Sequence, residues 1–306
     1  MGDSERSTRD SAAPQTRLLD LTQKRLEKFV SFFPRVLVND HPDTIHDTRV
    51  WSRRLQQVFR VLFPKPRAGK SRKLMRTLRN IRRALGDCRN MDVSIGLVRE
   101  RQATTNSPRI RESWDQMCLY LNEKRANEIS RAHEKLTQYD IMAFVTKTQA
   151  LLQSVAQNED FSALNDTLRA SVHEALAEWE AALAAAKDTH EVDKIHALRI
   201  AGKRLRYLAE LVVELGDTSL KPLVKALKGL QDELGHWHDR HVLLQFVAEF
   251  ITQPNFLASH PNIGRALLTE MEREHRSNNA AVDNTIESAE KIRESSVGAA
   301  ATSVEQ

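Results

Sequence analysis

The chain has 306 residues, with 46 Lys plus Arg against 41 Asp plus Glu, 11 His and a net charge of +5. At 41% apolar residues it is too apolar for a disordered chain, and with 10 Gly and 9 Pro it is too poor in turn formers for a strand-rich sandwich. Two cysteines, Cys88 and Cys118, cannot build a disulfide framework, the N-terminal stretch lacks the apolar run of a secretory signal, and no segment approaches the roughly 20 apolar residues that span a bilayer. The expectation is a cytoplasmic protein without a membrane partner.

In chain order, residues 1–15 read as a polar, disordered tail. Leu18, Leu21, Leu26, Phe29, Phe32 and Phe33 then recur at helical spacing. A second helix runs from Ile45 to Phe63, entered from His-Pro-Asp-Thr at 41–44 and stopped by Pro64 and Pro66. Ser71 to Leu85 predicts a third, with Gly86 as its stop, and Asp92 to about Gln102 a fourth. Long helices follow at Ile110–Tyr139 and Ile141–Gln157. The second half repeats the style at Ala163–Lys187, Val192–Gly216, Leu220–Leu234, Val242–Thr252 and Ile263 onward, with Gly235 again read as a stop. Residues 291–306 read as a second disordered tail. No alternating strand appears, so the fold class expected is all-α, packed as bundles over 16–290.

The +5 is unevenly spread. Between Ile45 and Arg99 there are 15 Lys plus Arg and three acids, Asp47, Asp87 and Asp92, so this segment carries +12 and leaves −7 for the remainder. A basic block in a mildly acidic chain points to a polyanion. A repeat organises the block. IHDTRVWSRRL at 45–55 aligns with IHALRIAGKRL at 195–205, and LRNIRRALGDCRNMDV at 78–93 with LKGLQDELGHWHDRHV at 227–242. Two motifs in the same order at nearly constant offset indicate a duplicated helical unit, with halves of about 16–158 and 159–290.

On a helical wheel His46, Arg49, Arg53, Gln56 and Arg60 share one face, with Leu55, Val58, Phe59 and Leu62 opposite. Arg72, Arg76, Arg79 and Arg83 do the same against Leu74, Leu78, Ile81 and Leu85. The second half offers His196, Arg199, Lys203 and Arg206, then Lys221, Lys225 and Lys228. Like charges three and four apart destabilise a helix by a few tenths of a kcal/mol per pair, a standing cost that a bound anion would offset. Arginine suits phosphate because its planar guanidinium donates bidentately, and a histidine at the head of each ridge adds a donor. Trp51 falls on the apolar side and reads as core.

The paired IHxxR…[RK]R…LG…V blocks resemble the CHAD family, the conserved-histidine α-helical domain, over roughly residues 20–285. The resemblance implies two four-helix bundles related by a pseudo-twofold axis, and binding of inorganic polyphosphate on polyphosphate granules, among granule-associated proteins, without catalysis, metal or cofactor. By matching position it implies anion ligands at His46, Arg49, Arg53, Arg54, His196, Arg199, Lys203 and Arg204. The ridges add Arg60, Arg206, Arg72, Arg76, Arg79, Arg83, Lys225 and Lys228, and Arg89 belongs to the first Leu-Gly block. The chain departs from the family pattern at Asn90, where an Asp is expected. Asp239 keeps that acid in the second half, where His238 answers Arg89 and His241 answers Asp92. Ile195–Val247 carries 8 Lys plus Arg against 6 acids, so binding is expected to be dominated by the first half. The Glu-x-Glu-x-Lys strands of the triphosphate domain that often precedes a CHAD domain have only Glu272, Glu274 and Arg276 as a helical near-match, so the expectation is a stand-alone CHAD protein.

Two other functions fit parts of the pattern. A metal-dependent phosphohydrolase would use His-Asp pairs such as His46-Asp47 and His238-Asp239, yet Ala197 replaces Asp47 in the repeat, and His236, His238, Asp239 and His241 do not share one helical face. A nucleic-acid binder would use the same ridges, but aromatics are 6% of the chain and none interrupts the basic stripes as a stacking platform.

Overall fold

The computed structural model describes residues 14–63, 69–157, 162–254 and 256–302. Its helices are α1 (Pro14–Val38), α2 (Pro42–Leu62), α3 (Lys70–Ala84), α4 (Gly86–Thr104), α5 (Pro108–Leu136), α6 (Ile141–Ala156), α7 (Ser162–Thr189), α8 (Val192–Glu214), α9 (Lys221–Ile251), α10 (Phe256–Ser259) and α11 (Pro261–Thr302), with a 3-10 turn at Thr218–Leu220. No strand occurs among the described residues, and the fold is all-α.

Two compact units are present, each assembled from separated stretches of chain. Unit 1 takes Met1–Leu85, Arg131–Leu176 and Tyr207–Lys221; unit 2 takes Gly86–Ser130, Ala177–Arg206 and Pro222–Gln306. In unit 1, α1 packs on α2, α2 on α3, and α6 against α1 and α3. The periodic apolar positions supply its core: Leu18, Leu26, Phe29 and Phe33 of α1, Ile45, Leu55, Val58 and Phe59 of α2, and Leu74, Leu78 and Ile81 of α3 are buried. Burying each such side chain contributes about 1.5–3 kcal/mol. Phe29 lies 5.9 Å from Phe33 and 5.7 Å from Phe144, ring centre to ring centre. In unit 2, Ile95, Val98, Trp114, Met117, Leu121, Leu243, Val247, Phe250, Ile251, Ile263 and Leu267 form one buried cluster.

Local chemistry sets the helix ends that aim the basic faces. His41 caps α2: its Nδ1 accepts from the Asp43 amide at 3.3 Å, and Pro42 occupies the first turn, where no amide is needed. Between α3 and α4 lies only Leu85, so Gly86 opens the next helix directly and α4 begins six residues before the expected Asp92. The second Leu-Gly pair behaves differently. α9 runs through Leu234 and Gly235 without a break, correcting the stop read there. One interior glycine costs a helix about 1 kcal/mol, and the buried Leu230, Leu234, Trp237 and Val242 on either side outweigh it. α1 likewise continues through Pro34 to Val38, where Val36 is buried.

The N-terminal tail read over 1–15 lies outside the described residues up to residue 13, and Pro14 already begins α1. At the other end α11 stays helical to Thr302, past residue 290 where the sequence ends the folded domain; residues 303–306 lie outside the described residues. No helix of the described residues is long and apolar enough to cross a membrane.

Candidate anion-binding site

In unit 1 the ridges of α2 and α3 come together around a cleft of about 250 Å³ lined by Gln56, Arg60, Arg72, Met75, Arg76 and Arg79. Four guanidinium groups and no carboxylate line it. The arginines reach it because their helices bury the opposite faces, which fixes the rotation of each helix. Gln56 ties the two helices together at the cleft: its Nε2 donates to the Met75 carbonyl at 3.0 Å, and its Oε1 accepts from Arg82 Nη2 at 2.6 Å.

Arg82 lies behind this wall and is half-buried. Burial, then the charges of Arg53, Arg49 and Arg60, push its guanidinium well below the ordinary arginine value, down to about 9. Its Nη1 is buried without a hydrogen-bond partner. Arg49 donates through Nη1 to the Arg82 carbonyl at 2.5 Å, satisfying one of the carbonyls that the end of α3 leaves open. Arg53 donates through Nη1 to the Tyr207 hydroxyl at 3.3 Å and lies 5.8 Å from the centre of that ring. Arg49, Arg53, Arg60 and Arg82 thus form a partly buried knot of guanidinium groups, a charge arrangement unfavourable on its own and relieved by an anion. Arg83 is exposed on the same ridge as Arg79 and borders a second cleft with Asn80, Lys135, Gln138 and Tyr139. His46 is exposed near the start of α2.

Arg54 takes a different place. Its Nη2 lies 3.8 Å from Glu210 Oε2, its guanidinium stacks 5.2 Å from the centre of the Trp51 ring, and its carbonyl accepts from the buried Arg25, which also pairs with Glu214 at 2.9 Å. Trp51 is accordingly half-buried under an arginine rather than fully in the core.

Unit 2 holds the second-half residues. His196, Arg199, Lys203, Arg204 and Arg206 are half-buried along α8, while Lys225 and Lys228 are exposed on α9. Arg204 pairs with Glu178, the counterpart of Arg54 with Glu210. Gln231 Nε2 contacts the Arg199 carbonyl at 3.4 Å. Arg89 of α4, Arg199, Lys203 and His236 all hold down the carboxyl of Asp239, although burial is the larger influence and leaves it raised. Asp92 is drawn into a 2.5 Å pair with Arg125, inside unit 2. Cys88 is buried, and burial followed by Asp92 pushes its thiol up to about 11, so it offers no nucleophile. Among the described residues no group of three or more His, Cys, Asp or Glu side chains could hold a metal ion.

Sequence spacing did not single out Arg82, which sits off the α3 ridge. The repeat carries a signal for it, however. Arg82 aligns with Gln231, and Gln56 aligns with Arg206, so each half keeps one arginine and one glutamine with the helices exchanged.

The chain belongs to the CHAD domain family, whose profile matches residues 20–248. Among solved structures, the CHAD domain from the plant Ricinus communis is similar at a TM-score of 0.66 and 20% identity, over 90% of this chain and 92% of that one. PptA from Streptomyces chartreusis is similar at a TM-score of 0.58 and 14% identity, over 90% of this chain and 99% of that one. At these identities the likeness concerns the fold. A search of curated proteins finds no match.

Proposed function

We propose that this protein binds inorganic polyphosphate, chiefly through unit 1, without cleaving it, and that this binding places it on polyphosphate granules in the cytoplasm among their other proteins. The observation that carries the proposal is the cleft walled by Arg60, Arg72, Arg76 and Arg79 and backed by the half-buried Arg82. From Arg72 to Arg83 the α3 ridge extends about 16 Å, which suits a line of phosphates better than one isolated phosphate. Guanidinium groups on two helices can then grip successive phosphates from both sides by charge-assisted hydrogen bonds.

Polyphosphate is favoured over nucleic acid because two aromatic rings beside the α2 ridge, Trp51 and Tyr207, are packed against arginines. Arg54 covers Trp51, and Tyr207, 8% exposed, stacks with Arg53. Each ring is committed to an arginine rather than standing open as a stacking platform. The deciding experiment is direct competition between long-chain polyphosphate and single-stranded RNA of matched charge at fixed salt. Displacement of polyphosphate by equimolar RNA would overturn the assignment, and phosphate release on adding Mg²⁺ or Mn²⁺ would overturn its non-catalytic part.

A further inference from the structure

Unit 2 gathers imidazoles where unit 1 gathers guanidinium groups. The His196 ring on α8 and the His238 ring on α9 are 5.4 Å apart, centre to centre. His241, one turn further along α9, stacks on Trp237 at 5.7 Å and 10° and exchanges a 3.2 Å hydrogen bond with Gln245. Arg199 and Lys203 follow His196 at helical spacing on the same face of α8, so both flank the pair of rings. The other charged groups around the cluster are Asp193 on α8, His236 and Asp239 on α9, Arg89 on α4 and His275 on α11.

We propose that His196, His238 and His241 make the unit 2 anion site proton-linked: polyphosphate lying over Arg199 and Lys203 draws protons onto these imidazoles, which then donate to it, so unit 2 grips the polymer in mild acid and releases it in base. The proposal rests on the polyphosphate reading and specifies its regulation.

The physical basis is that, after burial, the cationic groups Arg199 and Lys203 help to keep His196 and His238 neutral, and an anion would neutralise those two. His238 is pushed down to about 3 from an ordinary 6.5 by burial first, then by Arg199, His196, Lys203 and His241. His196 is lowered by burial, then by Arg199 and Lys203, with Asp193 opposing, and His241 by burial and His275. In the free protein at neutral pH the cluster is therefore uncharged, and Asp239 offsets part of the charge of Arg199, Arg89 and Lys203. A polyanion cancels the cationic repulsion and offers each N–H an acceptor, so the imidazole affinity for protons rises on binding. By linkage, proton binding then raises affinity for the polyanion equally, about tenfold per pH unit for each proton taken up. The guanidinium groups of the unit 1 cleft add no such sensitivity, because they stay charged throughout that range.

The test uses the full chain and long-chain polyphosphate, whose ends are a minor part of its charge. Calorimetry at pH 6.5 in two buffers of different ionisation heat gives the number of protons taken up on binding. The expected result is an uptake of about one proton or more for the native sequence, falling close to zero in His196→Gln/His238→Gln. The gain in affinity from pH 8 to pH 6 then drops from about tenfold or more to under about threefold. Equal uptake and equal pH dependence in both proteins would overturn the proposal. Should the double variant lose helicity, nitrogen-15 imidazole spectra of the unaltered protein decide: His196 and His238 becoming charged at pH 6 on adding polyphosphate supports it, and unmoved resonances refute it. Absence of polyphosphate binding by the native sequence at every pH would instead defeat the polyphosphate reading itself.

Discussion

Each of the two units holds one copy of the Ile-His-x-x-Arg helix but surrounds it with different chemistry. In unit 1 the cleft is walled by Arg60, Arg72, Arg76 and Arg79 and backed by Arg82, so its charge is permanent. In unit 2 the corresponding ridge passes His196, His238 and His241, with Asp239 held among Arg199, Arg89 and Lys203. The repeated Ile-His-x-x-Arg helix thus sits among guanidinium groups in one unit and among imidazoles in the other. His238 and His241, which stand where the first repeat has Arg89 and Asp92, supply the imidazoles, and Arg89 and Asp92 themselves also lie in unit 2.

The largest expected effect tests that asymmetry. At pH 8, Arg60→Ala/Arg76→Ala/Arg79→Ala should weaken binding of long-chain polyphosphate by more than about 100-fold, since each charge-assisted hydrogen bond contributes about 1.5–3 kcal/mol. Arg199→Ala/Lys203→Ala should cost under about tenfold. These unit 1 side chains are exposed, so helicity should be unchanged. Titration by fluorescence anisotropy distinguishes the two, and equal losses would erase the distinction between the units. Salt provides a companion measure. If unit 1 neutralises about four phosphates, log K should fall with log salt at a slope near −3, taking about −0.7 per phosphate for a flexible single strand. The triple variant should flatten that slope by about 2.

Arg82 tests whether the unit 1 charge is held against the preference of the fold. Its lowered proton affinity means that folding penalises its charge at every pH below about 9, and the penalty is relieved only as pH rises from there toward the ordinary arginine value. Arg82→Met removes a hydrogen bond to Gln56, worth about 1 kcal/mol, together with desolvation and repulsion of similar size. The expected outcome is a denaturation midpoint that does not fall, with polyphosphate affinity down about tenfold. A loss of several kcal/mol in stability would mark Arg82 as structural and weaken the case for a site built around unrelieved charge.

Helical periodicity made the elements legible, and most ends fall within a few residues of their expected places. It also put Arg60, Arg72, Arg76 and Arg79 on faces that meet at one cleft. What it left unread depends on which helices pack together. Arg54 and Arg204 lie off the ridge centres by the same angle, and both end in ion pairs with glutamates distant in sequence, Glu210 and Glu178. No spacing rule reports such partners. Arg82 and the histidine cluster were hidden for the same reason, because a guanidinium acquires a depressed proton affinity, and an imidazole a neighbour 5.4 Å away, only through packing between helices. The interleaved composition of the two units is likewise a property of packing.

The smallest effects concern glycine in unit 2, where packing requires one glycine and leaves room for a side chain at another. Gly202 on α8 faces Gln231 and Trp179: an added Cβ would lie 2.7 Å from Gln231 Nε2 and 3.4 Å from Trp179 Nε1. Gly202→Ala would push the Gln231 carboxamide off the Arg199 carbonyl, and the helix propensity gained should be cancelled, leaving stability unchanged or lower by about 1 kcal/mol. Gly235, in the middle of α9, has nothing within 4 Å of an added Cβ. Gly235→Ala should therefore stabilise the protein by up to about 1 kcal/mol, read as a shifted denaturation midpoint, with polyphosphate affinity unaltered. A destabilised Gly235→Ala protein would mean that α9 bends or breaks at that residue, and the alignment of His238 and His241 with His196, which requires one continuous helix, would have to be abandoned.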